Sequence, residues 1–253
     1  MTEIKELKQM VTSTRLISYS QPPKGEDGII GIENVQDLIA FCARVSNPAN
    51  QMNQETSEKL IKYLVKHKHW SPLEMASATI EIDTTRDIAH QIVRHRSFAF
   101  QEFSQRYAEP SAMGDAFTKR ECRLQDTTNR QNSIEIENDP SLVDNVKHQQ
   151  LITDWNRRQQ GVIETSRKAY EWAIENGIAK EQARAVLPEG LTKTRLYMQG
   201  SLRSWVHYIE LRGANGTQKE HMDIANECKC LFAGQFPIVA EALGWTKHET
   251  TNT

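Results

Sequence analysis

The chain has 253 residues, of which 38% are hydrophobic and 25% are charged, and its formal net charge is −2 at pH 7. These values are typical of a globular protein that buries a substantial core in one large domain or two small ones. A nearly neutral chain also argues against a broad basic surface for nucleic acid and favours a discrete anion pocket wherever arginines cluster.

The cysteines and the apolar runs indicate the cellular compartment. Cys42, Cys122, Cys228 and Cys230 form no CxxC pair and are too few for a disulfide scaffold, so we expect reduced thiols. The first fifteen residues lack the apolar segment of a signal peptide, and no apolar run approaches the roughly 20 residues of a membrane helix. We therefore expect a cytoplasmic protein with no membrane partner.

The first half of the chain predicts two helices and then a strand. A loop rich in proline and glycine at 20–31 precedes apolar residues at helical spacing over 33–46 and again over 60–65. Between 75 and 82 the apolar and polar residues alternate, which is typical of a half-buried strand.

The middle of the chain predicts helices on either side of a polar segment. Thr84 and Asp87 have the spacing of a capping box and predict a helix that runs into Arg94. Residues 111–140 are polar and irregular, which predicts a surface excursion or long loop. The longest helical pattern follows over 142–176, and Gly177 is the predicted stop at its C-terminus.

The last third alternates short elements with amphipathic helices. A short helix holds Arg184, and residues 194–198 read as a strand. Ser201 is placed to cap a helix that ends at Gly213, and a further helix reaches Phe232.

The balance of these elements predicts the fold class. Helices dominate, and the few strands must pair with one another. We therefore predict an α+β fold in a single domain over residues 1–253, with a polar tail that frays from about residue 246.

The segment 94–106, RHRSFAFQEFSQR, carries the most chemical information. Its three guanidinium groups and one imidazole fall within thirteen residues, and a guanidinium fork suits phosphate oxygens. Phe98, Phe100 and Phe103 are interleaved with the charges, which argues against a bare solvated face. The segment predicts a cleft for phosphorylated ligands or, as the alternative, a stacking surface for single-stranded nucleic acid.

This segment resembles the signature of the flavin-dependent thymidylate synthases (the ThyX family), in which Arg-His-Arg is followed after seven residues by serine. Further segments resemble family motifs in the same order, namely His69–Glu74, Arg184–Pro188, Ser201–Trp205 and Leu211–Arg212. The matches extend over roughly residues 35–240, and several motifs in order are far more specific than one.

The resemblance implies a reaction and an assembly. The reaction is the reductive methylation of dUMP to dTMP, with methylenetetrahydrofolate as the carbon donor and NADPH-reduced FAD as the hydride donor. The assembly is a homotetramer whose active sites lie at subunit interfaces. The fold implied is a small, mainly antiparallel sheet packed by several long helices. A related flavoprotein that acts on another pyrimidine nucleotide stays open as an alternative.

The family pattern also assigns residues to ligands. The residues expected to face FAD are Ser71, Arg94, His95, Arg96, Glu102, Ser201, Arg203 and His207. The residues expected to face dUMP are Gln91, Arg94, Glu102, Ser104, Gln105, Arg106, Arg184 and Arg212. Arg212 is expected to be catalytic by polarising the uracil ring, and His69 is the candidate for the folate side of the flavin.

Two kinds of chemistry are not expected. No cysteine follows a proline, as the nucleophile of classical thymidylate synthases does, so we expect no covalent adduct between a cysteine and uracil. No cysteine or carboxylate completes a ligand set around the pairs His67/His69 or His90/His95, so no metal site is expected.

Overall fold

A four-stranded antiparallel sheet forms the centre of the computed structural model, which describes residues 12–137, 139–143 and 145–245. Its strands are β1 (Ser13–Tyr19), β2 (Ser77–Thr85), β3 (Ala99–Glu102) and β6 (Lys193–Ser201), in the order β1-β2-β6-β3. A separate hairpin pairs β4 (Arg123–Gln125) with β5 (Ser133–Glu135). The prediction of a small antiparallel sheet is confirmed.

Helices are the main regular element in the rest of the described chain. They are α1 (Val35–Ala43), α2 (Ser57–Lys66), α3 (Arg86–Ile92), α4 (Pro140–Val143), α5 (Val146–Glu175), α6 (Lys180–Ala183), α7 (Leu202–Arg212), α8 (Lys219–Gln235) and α9 (Pro237–Ala242). Single 3-10 turns lie at Gly25–Asp27, Pro48–Asn50, Ser71–Met75, Pro110–Met113 and Arg184–Val186. The α+β class is confirmed, and none of the described helices is both long and apolar enough to cross a bilayer.

The two central strands carry the core. β2 and β6 stay in register over nine pairs, from Ser77 opposite Ser201 to Thr85 opposite Lys193. Their inward side chains are fully buried beneath α7 and α8. Trp205 of α7 is also fully buried, and its Nε1 donates to the carbonyl oxygen of Ala78 (3.0 Å), which fixes α7 to β2.

Helix α7 follows β6 without a loop, and this junction positions two predicted site residues. Ser201 is extended and its Oγ accepts from the backbone N–H of Ser204 (3.2 Å), so the predicted N-cap is confirmed. Arg203 and Arg212 lie near the two ends of the helix, roughly 14 Å apart along its axis at the usual rise per residue.

The predicted capping box at Thr84 is wrong by one residue. Thr84 lies within β2, opposite Thr194, and α3 begins after Thr85. The hydroxyl of Thr85 donates to Asp87 Oδ1 (2.6 Å) and caps no backbone N–H. Strand pairing with β6 holds the chain extended for longer than the local pattern indicates.

The segment at 111–140 is more than a polar surface excursion. Phe117, Cys122 and Ile136 within it are buried, and the β4–β5 hairpin lies between them along the chain. The polar composition is typical of a loop, but these three side chains anchor the segment to the domain. The predicted frayed tail from residue 246 lies outside the described residues.

The longest predicted helix is confirmed with one break. Asn145 accepts from the backbone N–H of Lys147 and starts α5 anew after the short α4. Gly177 follows its end with φ +74°, which is the left-handed conformation that favours glycine at a helix C-terminus. Trp155 and Trp172 on this helix are 39% and 60% exposed.

Gly200 provides a test of the sheet–helix junction. A Cβ at this position on β6 would lie 2.4 Å from Cδ1 of Phe98, and that ring is held against Trp205 with 4.9 Å between centroids. We therefore expect Gly200→Ala to lower the free energy of unfolding by about 1–3 kcal/mol, measured by urea denaturation.

The matched control is Gly161→Ala in the middle of α5, where a Cβ meets no atom within 4 Å. Alanine favours a helix over glycine, so this variant is expected to be unchanged or more stable by up to about 1 kcal/mol. Equal stability of the Gly200→Ala variant and the unsubstituted protein would contradict the packing described for Phe98.

Candidate active site

The interaction at the C-terminal end of α7 joins two of the predicted residues. Arg212 Nε donates to His95 Nε2 (2.9 Å). Because Nε2 accepts, the His95 imidazole is neutral and carries its proton on Nδ1. Burial lowers the pKa of His95, and the charge of Arg212 lowers it further. Within the described chain Arg212 has no carboxylate partner, so its remaining N–H groups are available to a ligand.

A buried wall lies behind this pair. The Tyr208 and His221 rings are 5.0 Å and 6.2 Å from that of His95, measured between centroids. Tyr208 and His221 are 1% and 0% exposed. Burial, followed by the charge of Arg212, lowers the pKa of His221 to about 3. His221 is therefore neutral at physiological pH. It belongs to no motif, and sequence reasoning missed it.

Gln91 joins the same cluster from the last turn of α3. Its Oε1 faces His221 Nδ1 (3.4 Å), and its Nε2 donates to Gln218 Oε1 (2.8 Å). The structure thus brings together Gln91, His95 and Arg212, which the sequence assigns to one nucleotide–flavin site.

Arg94 and Arg96 occupy the turn between α3 and β3. Both are exposed, and among the residues the structure describes neither guanidinium makes an ion pair. A guanidinium without a carboxylate is free to bind phosphate oxygens, so this turn fits the pyrophosphate of a dinucleotide.

A second group of predicted residues surrounds the start of α7. Arg203 Nη1 donates to Glu74 Oε1 (2.8 Å), and His207 packs edge-on against Trp70 at 5.2 Å. A hydrogen bond from Ser201, followed by that from Arg203, holds the pKa of the Glu74 carboxyl below its usual value. The carboxylate therefore stays charged beside the helix N-terminus.

Ser71 and His69 border this second group. Ser71 begins the 3-10 turn at Ser71–Met75, and both side chains are exposed. Lys68 precedes them with φ +58°, in the left-handed region, and the His69 ring lies 6.0 Å from that of Tyr63. The local backbone thus presents His69 at the surface.

Glu102 lies apart from both groups at the end of β3. Its Oε1 accepts from Arg86 Nη1 (2.8 Å) and from the hydroxyl of Thr194 (3.0 Å). Arg86 was missed by sequence reasoning because it lies outside the arginine motif. It holds the Glu102 carboxylate in one orientation.

The remaining predicted residues lie on the segment after β3 and on the turn after α6. Arg106 Nη2 pairs with Glu181 (3.3 Å), and its backbone N–H donates to Ser104 Oγ (3.4 Å). Gln105 is buried and Arg184 is half-buried.

A single chain therefore keeps the predicted residues in separate groups. In the described ranges no hydrogen bond or ion pair joins Arg106 or Arg184 to Arg212. The same ranges hold no cluster of three His, Cys, Asp or Glu side chains suited to a metal ion. At the end of α7 the fixed guanidinium of Arg212 lies beside the neutral imidazoles of His95 and His221, which is suited to a planar, anionic ligand.

Comparisons with known proteins agree with this chemistry. The family model described as thymidylate synthase complementing protein matches residues 29–238. The chain is 46% identical over 233 residues to a probable flavin-dependent thymidylate synthase of Paramecium bursaria Chlorella virus 1, covering 92% of this chain and 99% of the relative. It is 45% identical over 235 residues to the flavin-dependent thymidylate synthase of Synechocystis sp., covering 91% and 99%.

A solved structure shows the same fold. The UMP/dUMP methylase PolB from Streptomyces cacaoi, bound with 5-Br dUMP, aligns with a TM-score of 0.72 at 23% identity, covering 92% of this chain and 94% of that one. This chain belongs to the thymidylate synthase complementing protein family.

The buried His221 predicts a pH dependence of stability. Its pKa is about 3 when folded and near 6.5 when unfolded, so its contribution is complete above pH 6.5 and is lost as the pH falls toward 3. At about pH 5 this loss is about 2 kcal/mol. We expect His221→Phe, which keeps a ring, to reduce by that amount the change in unfolding free energy between about pH 7.5 and pH 5.

Urea denaturation at the two pH values measures the effect. An unchanged pH dependence in the variant would show that His221 is not held neutral by its surroundings.

Proposed function

We propose that the protein is a flavin-dependent thymidylate synthase that methylates dUMP to dTMP. The observation that carries the proposal is Arg212, a permanent cation fixed by a neutral His95 within the arginine motif. Both relatives described above carry the name of this activity and match almost their whole length to this chain.

FAD is the expected cofactor, and when reduced by NADPH it supplies the hydride. Arg94 and Arg96 provide unpaired guanidinium groups for its pyrophosphate. The other residues proposed to hold FAD are Ser71, His95, Glu102, Ser201, Arg203 and His207. These side chains include hydrogen-bond donors, such as Arg203, and an acceptor, the carboxylate of Glu102. Such a mixture matches the donor and acceptor atoms along the edge of an isoalloxazine ring.

The nucleotide is proposed to lie between the cationic groups. Arg106, Arg184 and Ser104 bind its phosphate through charge-assisted hydrogen bonds, with Arg94, Glu102 and Gln105 beside them. Gln91 and Arg212 contact the pyrimidine ring. These contacts orient the ring before any bond changes.

Arg212 has the catalytic role in this proposal. One of its N–H groups is used by His95, which leaves the four N–H groups on its Nη atoms for the ring. They stabilise negative charge as it develops on the pyrimidine. Because the imidazole is neutral, it orients the guanidinium without neutralising its charge.

The cysteines do not serve as nucleophiles in this reaction. Burial raises the pKa of the thiols of Cys42, Cys122 and Cys228, so these three remain protonated at physiological pH. Cys230 is exposed on α8. The pyrimidine is instead activated by the fixed charge of Arg212.

A homotetramer with shared active sites is part of the proposal. The separation of the predicted residues within one chain supports it, since a second subunit can supply Arg106 and Arg184. Exposed apolar side chains on α5 also support it, with Trp172 at 60%, Val162 at 47% and Leu151 at 42%. Such a helix face is typical of a subunit interface.

The co-substrates complete the scheme. Methylenetetrahydrofolate supplies the carbon, and the exposed His69 is proposed to contact it on the open side of the flavin. NADPH is the reductant, and the reaction takes place in the cytoplasm.

A spectrum and two assays test the function. We expect the purified protein to be yellow or to become so with FAD, dUMP to stimulate NADPH oxidation, and tritium to be released from the 5-position of labelled dUMP. A protein that neither holds nor takes up FAD contradicts the proposal. Stimulation by UMP but not dUMP would indicate another pyrimidine substrate, and salt-dependent oligonucleotide binding without any dUMP effect would indicate a nucleic-acid-binding protein.

Substitution of Arg212 tests the catalytic assignment. We expect Arg212→Ala to keep its FAD and to lose about 100- to 1000-fold in kcat, as happens when one group that stabilises developing charge is removed. Arg157→Ala is the control, since Arg157 is exposed and its ion-pair partner among the described residues is Asp154 on the same helix, at 2.7 Å. Undiminished turnover in Arg212→Ala would remove this residue from the mechanism.

A further inference from the structure

We propose that the β4–β5 hairpin is a positioning element for the substrate pocket. In this proposal Arg123 acts through Glu220 and Gln218 to fix the side-chain amide of Gln91. The inference rests on the proposed function, because only there does Gln91 contact the pyrimidine ring of dUMP.

The series of contacts from Arg123 to Gln91 begins with the ion pairs of Glu220, which we call the anchor. Glu220 on α8 is 5% exposed. It accepts a hydrogen bond from Arg123 Nη2 at 2.6 Å and forms an ion pair with Arg120, whose Nη1 lies 3.2 Å from its Oε2. Burial alone would raise the pKa of Glu220, but the charges of Arg120 and Arg123 outweigh it and hold the pKa below its usual value. Glu220 is therefore a charged carboxylate with a fixed position.

The anchor determines the orientation of two amides. A carboxylate can only accept, so the Gln218 amide must turn its Nε2 toward Glu220 Oε2, at 3.0 Å. Its Oε1 then faces Gln91 and accepts from Gln91 Nε2 at 2.8 Å. As a result, the Oε1 of Gln91 faces His221 Nδ1 at 3.4 Å. Each step has only one satisfied orientation.

Arg120, which lies three residues before the hairpin, links the same segment to α3 as well as to α8. Arg120 Nη2 pairs with Asp87 Oδ1 (2.6 Å) in the first turn of α3, and its Nε donates to the carbonyl oxygen of Gly190 (3.0 Å). Gln91 lies one turn further along α3. The segment thus holds the helix that carries Gln91 and also the residues that orient its amide.

An oriented Gln91 has a consequence for binding. Its amide retains one N–H and one lone pair that no protein contact described above uses. Uracil presents an N–H flanked by carbonyl oxygens, which complements a primary amide only when the amide nitrogen and oxygen are correctly placed. A Gln91 free to flip would leave donors or acceptors mismatched against the ring. The segment at 111–137 therefore acts on substrate affinity without contacting the substrate.

Two variants and a control test the proposal. Arg123→Met removes one ion pair of the anchor. Gln218→Met removes the hydrogen bonds of Gln218 to Glu220 and Gln91 without changing any charge. Arg44→Met is the matched control, since Arg44 is 6% exposed and donates to Thr56 at 2.9 Å, away from the chain of contacts. The dissociation constant for dUMP is measured on the FAD-loaded protein by titration of the flavin absorbance.

We expect Arg123→Met and Gln218→Met to weaken dUMP binding about tenfold, with FAD content unchanged, and Arg44→Met to stay within about twofold. In a Gln91→Met background, the further substitution Arg123→Met is expected to add less than about twofold, because its effect passes through Gln91.

Unchanged dUMP affinity in both single variants would overturn the proposal, and so would full additivity with Gln91→Met. If Arg123→Met fails to fold, the dUMP affinity of Gln218→Met, measured alone and in the Gln91→Met background, tests the proposal by itself. An unsubstituted protein that binds FAD but not dUMP contradicts the proposed function instead, so the two failures are distinguishable.

Discussion

The hydrogen bond from Arg212 to the neutral imidazole of His95 is the interaction on which the site depends. A guanidinium is usually fixed by a carboxylate, which also cancels its charge. Here a half-buried imidazole accepts the hydrogen bond instead, and its pKa is lowered by partial burial and by the charge of Arg212. The positive charge of Arg212 is thereby held in place and left available for a ligand on which negative charge develops.

The sheet determines what one chain can contribute to such a site. Because α7 continues directly from β6, Arg203 and Arg212 are held at opposite ends of one rigid helix. The two arginines are then roughly 14 Å apart along that helix, and Arg106 and Arg184 belong to other segments. The proposed association of several copies combines these groups, and the exposed tryptophans of α5 are apolar surface that supports this proposal.

The local features of the fold could be predicted from the sequence, whereas the polar contacts between distant segments could not. The alternation at 75–82, the serine cap at Ser201 and the glycine after α5 are signals within a few residues, and the structure contains all three. The contact of Arg123 with Glu220 joins residues 97 positions apart, and nothing local marks either as a partner. The buried His221 likewise belongs to no motif, and its neutrality depends on burial and on Arg212, which lies on a different helix.

A structure of the protein with FAD and dUMP bound would show directly whether Arg212 acts on the pyrimidine ring. We expect the Nη atoms of Arg212 to lie within hydrogen-bond distance of the ring while its Nε remains on His95, and Arg106 and Arg184 to reach the phosphate. A nucleotide bound away from Arg212, or an Arg212 that leaves His95 to pair with a carboxylate, would contradict this expectation.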